Sequence, residues 1–70
     1  MENDMVAQER AAIVAFALAS GEQLTTQQIA ERVGLTYSGA WRLLQKLARV
    51  CPITKDPTMD YWYSIQWYNH

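Results

Sequence analysis

Apolar positions recur at helical spacing over three stretches of the chain and at strand spacing over a fourth. From about Asp4 to Ser20 the spacing predicts a helix, with Asn3 or Asp4 as its cap and Ser20-Gly21 as its stop. Its apolar residues form two faces. Ile13, Phe16 and Ala17 make one; Ala7, Ala11, Val14 and Leu18 make the other. A helix apolar on two sides is either sandwiched or half-exposed for a partner. A small domain has little material for a sandwich, so the Ala7–Leu18 face is the candidate homodimer surface. On that reading Leu18→Glu would give a folded monomer.

Glu22 to Thr25 suits a brief strand. Thr25 and Gln28 then have the spacing of a capping box, opening a second helix over about Thr26 to Val33. Ile29, Ala30 and Val33 are its inward positions, and Gly34 is placed to end it in a left-handed conformation. Leu35 plugs the turn and Thr36 caps a third helix from about Tyr37 to Val50, stopped by Pro52. Ala40, Leu43, Leu44 and Leu47 form its inward stripe; Ser38, Arg42, Gln45 and Arg49 lie opposite. Ile53 to Lys55 and Tyr61 to Tyr68 read as a hairpin around Asp56–Asp60. Alternation puts Trp62, Ser64, Gln66 and Tyr68 on one face, with Trp62 as a wing or interface contact. Tyr61, Tyr63, Ile65 and Trp67 take the other. The aromatic cluster suits packing better than stacking on single-stranded nucleic acid.

Seventy residues, half of them hydrophobic and 19% charged, describe one small folded domain. The longest apolar run, Ala11 to Ala19, is short of the roughly 20 residues that span a bilayer. The acidic start, MENDM, lacks the basic opening of a signal peptide. A single cysteine, Cys51, excludes an internal disulfide and fits a reducing compartment. A cytoplasmic protein without membrane contact is expected.

The net charge is −1, but its distribution is uneven. Between Glu31 and Asp56 stand Arg32, Arg42, Lys46, Arg49 and Lys55, with no acid among them. The same window holds the two helices joined by a tight turn. Ala30 is small where the helices cross, Gly34 makes the turn, and Ala40 and Leu43 anchor the second helix. That is the pattern of a helix-turn-helix. Three helices followed by a hairpin make a mainly α chain with a small β-hairpin: a winged helix-turn-helix with a two- to three-stranded wing, filling residues 1–70.

In such a unit the third helix enters the major groove of double-stranded DNA. Tyr37, Ser38, Gly39, Arg42 and Gln45 are the groove-facing candidates. Arg42 can pair bidentately with guanine and Gln45 with adenine. Gly39 leaves room for close backbone approach. Lys46, Arg49 and Lys55 are candidate phosphate contacts. Thr26 and Gln27, and the capping Thr36, stand at helix starts where a phosphate can bind. One short helix reads few base pairs, so a dimer on an operator is the expected mode.

The stretch IAERVGLTYSGAWRLLQKL resembles the DNA-binding domain of IclR-type transcriptional regulators, through its Gly-Leu turn, its cap and the run Arg42-Leu43-Leu44-Gln45-Lys46-Leu47. The Asp56-Pro57 turn and Tyr63-Ser64-Ile65 fall where that family has its wing. MarR-type domains are similar. The resemblance covers about residues 7 to 66 and implies a small transcriptional regulator. It does not reach the family's effector domain, so it implies no small-molecule effector. Tyr37 stands where the family has a basic or small polar residue, Trp41 is large for its place, and the wing tip lacks an arginine.

Nothing in the chain suggests catalysis. One cysteine and one terminal histidine, His70, do not make a zinc site. No nucleophile–base pair and no glycine-rich phosphate loop is present. No cofactor is expected. The other function class open to this fold is protein docking through the aromatic hairpin or the third helix. Steep salt dependence would separate DNA binding from it.

Overall fold

The computed structural model describes residues 6–68. In chain order it has α1 (Ala7–Ala19), α2 (Thr26–Val33), α3 (Tyr37–Leu47), β1 (Ile53–Lys55), β2 (Trp62–Ser64) and α4 (Ile65–Tyr68). The strands form an antiparallel hairpin in which Ile53 faces Ser64, Thr54 faces Tyr63 and Lys55 faces Trp62. This is a winged helix-turn-helix.

α1 begins later than its apolar pattern predicts, with Val6 at the cap position and the Glu9 carboxylate accepting the Val6 N–H at 3.3 Å. Asn3 and Asp4, the expected caps, lie outside the described residues, as does His70. The inward face of α1 is Val14, Ala17 and Leu18, all buried. This corrects the expected dimer surface: Val14 and Leu18 are core residues, and Ala11 packs against that core. The exposed large apolar residues of α1 are Ile13 and Phe16, with Phe16 76% exposed. Two apolar faces were legible; which one turned inward depended on where α2 and the hairpin pack.

The helix-turn-helix forms as its local signals dictate. The Thr25 hydroxyl accepts the Gln28 N–H at 3.0 Å, and the Gln28 side chain accepts the Thr25 N–H at 2.9 Å. Two backbone donors that α2 would leave unsatisfied are thereby matched. Gly34 closes α2 at φ 70°, and the Leu35 N–H returns to the Ala30 carbonyl at 2.9 Å. That return bond needs the left-handed conformation, which costs an L-residue with a Cβ roughly 1–2 kcal/mol. Thr36 caps α3 by accepting the Gly39 N–H at 3.1 Å. Ala40, Leu44 and Leu47 are buried and Leu43 is half-buried, so the predicted inward stripe of α3 holds. The helix ends at Leu47, three residues short of the expected Val50, and residues 48–50 form a turn.

Glu22 to Thr25 contributes one bridging pair instead of a strand: Leu24 and Trp62 exchange backbone hydrogen bonds of 2.7 and 3.1 Å. The return strand is also shorter than predicted. β1 starts only after Pro52, which has no N–H to give, so beyond Ser64 the chain has no strand to pair with. The Ile65 N–H bonds the Pro52 carbonyl at 2.8 Å and the backbone turns into α4. The alternating faces assigned to Ile65–Tyr68 are replaced by that helical turn.

Candidate nucleic-acid interface

α3 presents its candidate residues on the side away from the core. Ser38, Arg42, Gln45 and Lys46 are exposed along it, and Arg49 follows in the turn after it. The inward stripe of Ala40, Leu44 and Leu47 fixes this orientation, because residues about half a turn away must then face out. Arg42, Lys46 and Arg49 have no ion-pair partner among the described residues. By contrast, Arg32 of the same basic window is bound to Glu22, Nη1 to carboxylate oxygens at 3.1 and 3.2 Å. Its charge is answered by an acid from before α2, so it belongs to a different surface.

Tyr37, Ser38, Trp41 and Arg42 line an open depression of about 360 Å³ at the start of α3. Trp41 is half-covered there. Its ring meets that of Trp62 edge to face, with centroids 5.7 Å apart and planes at 68°. Trp62 is 3% exposed, and its indole N–H donates to the Thr26 hydroxyl at 3.0 Å. One chain of contacts therefore links α3, the wing and the start of α2. It ties α3 to the wing.

That chain removes the side chain of Thr26 from the candidate set. Its side chain is completely buried, with the hydroxyl committed to Trp62, so it cannot reach a phosphate. Trp62 is likewise a core residue, not a wing or interface contact. Gln27 stays exposed, with its amide donating to Glu31 at 3.1 Å. That acid beside it makes the start of α2 a poorer phosphate site than expected.

Gly39 is half-buried, and a side chain there would crowd the cap of α3. A Cβ there would come within 3.3 Å of the Thr36 hydroxyl and 3.6 Å of Leu35. Thr36 is exposed, with its hydroxyl occupied in capping. Lys55 is half-buried, its ammonium donating to the carbonyls of Asp56 and Met59 at 3.3 Å each. It closes the wing turn and keeps one N–H for an outside acceptor.

The wing tip is organised by Asp56. Its carboxylate accepts the N–H groups of Thr58 and Met59 at 2.8 and 2.9 Å, and the Thr58 hydroxyl at 2.8 Å. These bonds hold its pKa below the ordinary aspartate value, with a smaller contribution from the Tyr61 hydroxyl. Tyr61 and Tyr63 are half-buried and tilted against each other, centroids 5.9 Å apart. With Trp62 inward as well, the hairpin offers less aromatic surface for docking than its composition promised.

Arg10 was missed in the sequence because it lies outside the acid-free window. It stands with Arg42 and Lys46 around a groove between α1 and α3. Its Nε donates to the Val33 carbonyl at 3.1 Å, at the C-terminal end of α2. Helical spacing on α1 alone could not place it beside α3.

Among the described residues no cluster of three or more histidine, cysteine, aspartate or glutamate side chains could hold a metal ion, and no helix is long and apolar enough to cross a membrane. No family model and no curated protein matches the chain. Among solved structures it is similar to the Zalpha domain of cyprinid herpesvirus 3 ORF112, from a structure of its binding to Z-DNA. The TM-score is 0.66 at 20% identity, over 84% of this chain and 97% of that one. The likeness supports the winged-helix fold and does not single out the IclR or MarR type.

Proposed function

We propose that this chain binds double-stranded DNA through the outer face of α3, with the wing alongside, as a small non-catalytic transcriptional regulator of the cytoplasm. The observation that carries the reading is the exposed, acid-free face of α3, on which Arg42, Lys46 and Arg49 lack ion-pair partners among the described residues. Unneutralised cations on a rigid convex helix are what a phosphate-lined groove selects. Arg42 and Gln45 are the base-reading residues; Lys46 and Arg49 position the helix on phosphates. Tyr37 and Trp41 present apolar edges at the front of the helix, suited to a thymine methyl or a sugar. The structural neighbour, itself described bound to Z-DNA, supports a nucleic-acid role for the fold. The kinship with IclR-type regulators rests on the sequence resemblance, whose most specific part is α3.

A dimer suits this function because one short helix reads too little sequence for a unique site. Its surface is the outward side of α1, where Ile13 and Phe16 are exposed, in place of the Ala7–Leu18 face.

Fluorescence anisotropy of a labelled duplex, titrated at several salt concentrations, tests the reading. Two phosphates neutralised by Lys46 and Arg49, at roughly 0.9 each, predict a log–log salt slope of about −2 per subunit. Lys46→Ala should weaken binding and flatten the slope by about one unit, while Arg42→Ala should weaken binding and relax base preference. A duplex locked in the left-handed form, run beside a right-handed one, identifies the helix form that α3 accepts. Absence of binding to both at low salt would refute DNA recognition.

A further inference from the structure

α1 and α3 diverge and leave an open groove of about 390 Å³. Ala7 and Ala11 of α1 and Leu43 and Leu47 of α3 line it, and Val50, 80% exposed, stands at its end. Ala7 and Ala11 are one turn apart and small, so the α1 wall is low. Gly39, at the other end, has no side chain to obstruct it. From Gly39 to Leu47 the groove follows α3 for about 12 Å, roughly two helical turns, before reaching Val50.

Its polar lining is one-sided. Arg10, Arg42 and Lys46 stand among the apolar residues, Gln8 is neutral, and among the described residues no acid contributes. An apolar floor with a cationic rim selects an occupant that is apolar along one stripe and negative beside it. A small molecule in so open a groove would stay largely exposed, whereas bound ligands of that size usually bury 70–90% of their surface. A duplex has no apolar stripe for the floor. A helix with apolar residues at i, i+3 and i+7, flanked by Asp or Glu, satisfies both floor and rim.

We propose that the α1–α3 groove docks an acidic amphipathic helix of a partner protein. The docked helix lays its apolar residues between Ala7, Ala11, Leu43 and Leu47, and its carboxylates meet Arg10, Arg42 and Lys46. Because Arg42 and Lys46 are also assigned to DNA, the partner and a duplex exclude each other. That exclusion rests on the proposed function; the docking does not.

The test uses a stapled helical peptide with leucines at i, i+3 and i+7 flanked by glutamates, and a second with the same leucines flanked by lysines. The glutamate peptide should bind at least about tenfold more tightly, since like charges across an interface are costly. Its amide-shift footprint should fall on Ala7, Ala11, Leu43 and Val50. Ala7→Glu with Val50→Glu, both at exposed positions, should lower its affinity about tenfold or more with an unchanged unfolding midpoint. Should that variant unfold, the footprint on the unaltered protein decides. Equal binding of the two peptides, no binding of the glutamate peptide, or a footprint elsewhere overturns the proposal. A labelled duplex in the same cell separates the two ideas. Peptide binding without duplex binding leaves the docking standing and removes the DNA reading. Simultaneous binding of both, without competition and with the peptide footprint on the groove, leaves the docking standing and removes the assignment of Arg42 and Lys46 to DNA.

Discussion

Trp62 ties three parts of this structure together. Its backbone pairs with Leu24, its indole N–H bonds Thr26, and its ring supports Trp41. Thr26→Val keeps the shape of the site and leaves that buried N–H without an acceptor. It should cost about 1–3 kcal/mol in urea unfolding. Loss of under half of that would mean water reaches the indole. Thr26 and Gln27 looked alike in the sequence, two polar residues opening a helix. What separates them is a partner 36 positions along the chain, which no local pattern reveals. At the wing tip the sign of a pH effect is fixed. Asp56 has a folded pKa below its unfolded one, so its contribution is present above the unfolded value and is lost as pH falls through the folded value. Carboxyl NMR should give Asp56 a midpoint below the ordinary aspartate value; one at or above it would mean that its bonds to Thr58 and Met59 do not persist in solution.

The elements were legible where their signals are local. Cap, helix, glycine and second cap from Thr25 to Gly39 follow directly from residue chemistry, and β1 is where β-branched residues after Pro52 place it. The elements that depended on a neighbour were misplaced. β2 stops where β1 runs out of partners. α1 turned inward the face assigned to a dimer, because periodicity finds an apolar stripe without saying what covers it. Two substitutions separate its faces. Leu18→Glu puts a charge at a fully buried site and should abolish cooperative unfolding. Phe16→Glu, on the exposed side, should preserve the unfolding midpoint and shift sedimentation to the monomer. A folded Leu18→Glu protein, or a Phe16→Glu protein that still self-associates, would contradict this assignment of faces.

At the scale of the whole molecule, a net charge of −1 conceals a separation of charge. Arg32 is neutralised by Glu22 and Lys55 is tied into the wing turn, leaving Arg42, Lys46 and Arg49 on one side. The acid-free window announced that side. It overcounted, because pairing across the fold is invisible in a linear count, and it omitted Arg10 for the same reason. What survives is a compact cationic face beside half-covered Trp41, tied to the wing through Trp62. Its assignment to DNA is the central claim. The most direct measurement is an amide-shift map of the isotopically labelled protein titrated with a short duplex at low salt. The account predicts a continuous footprint over Tyr37, Ser38, Arg42, Gln45 and Arg49, fading as salt rises. A footprint centred on Phe16 of α1, or no shifts at all, would contradict it.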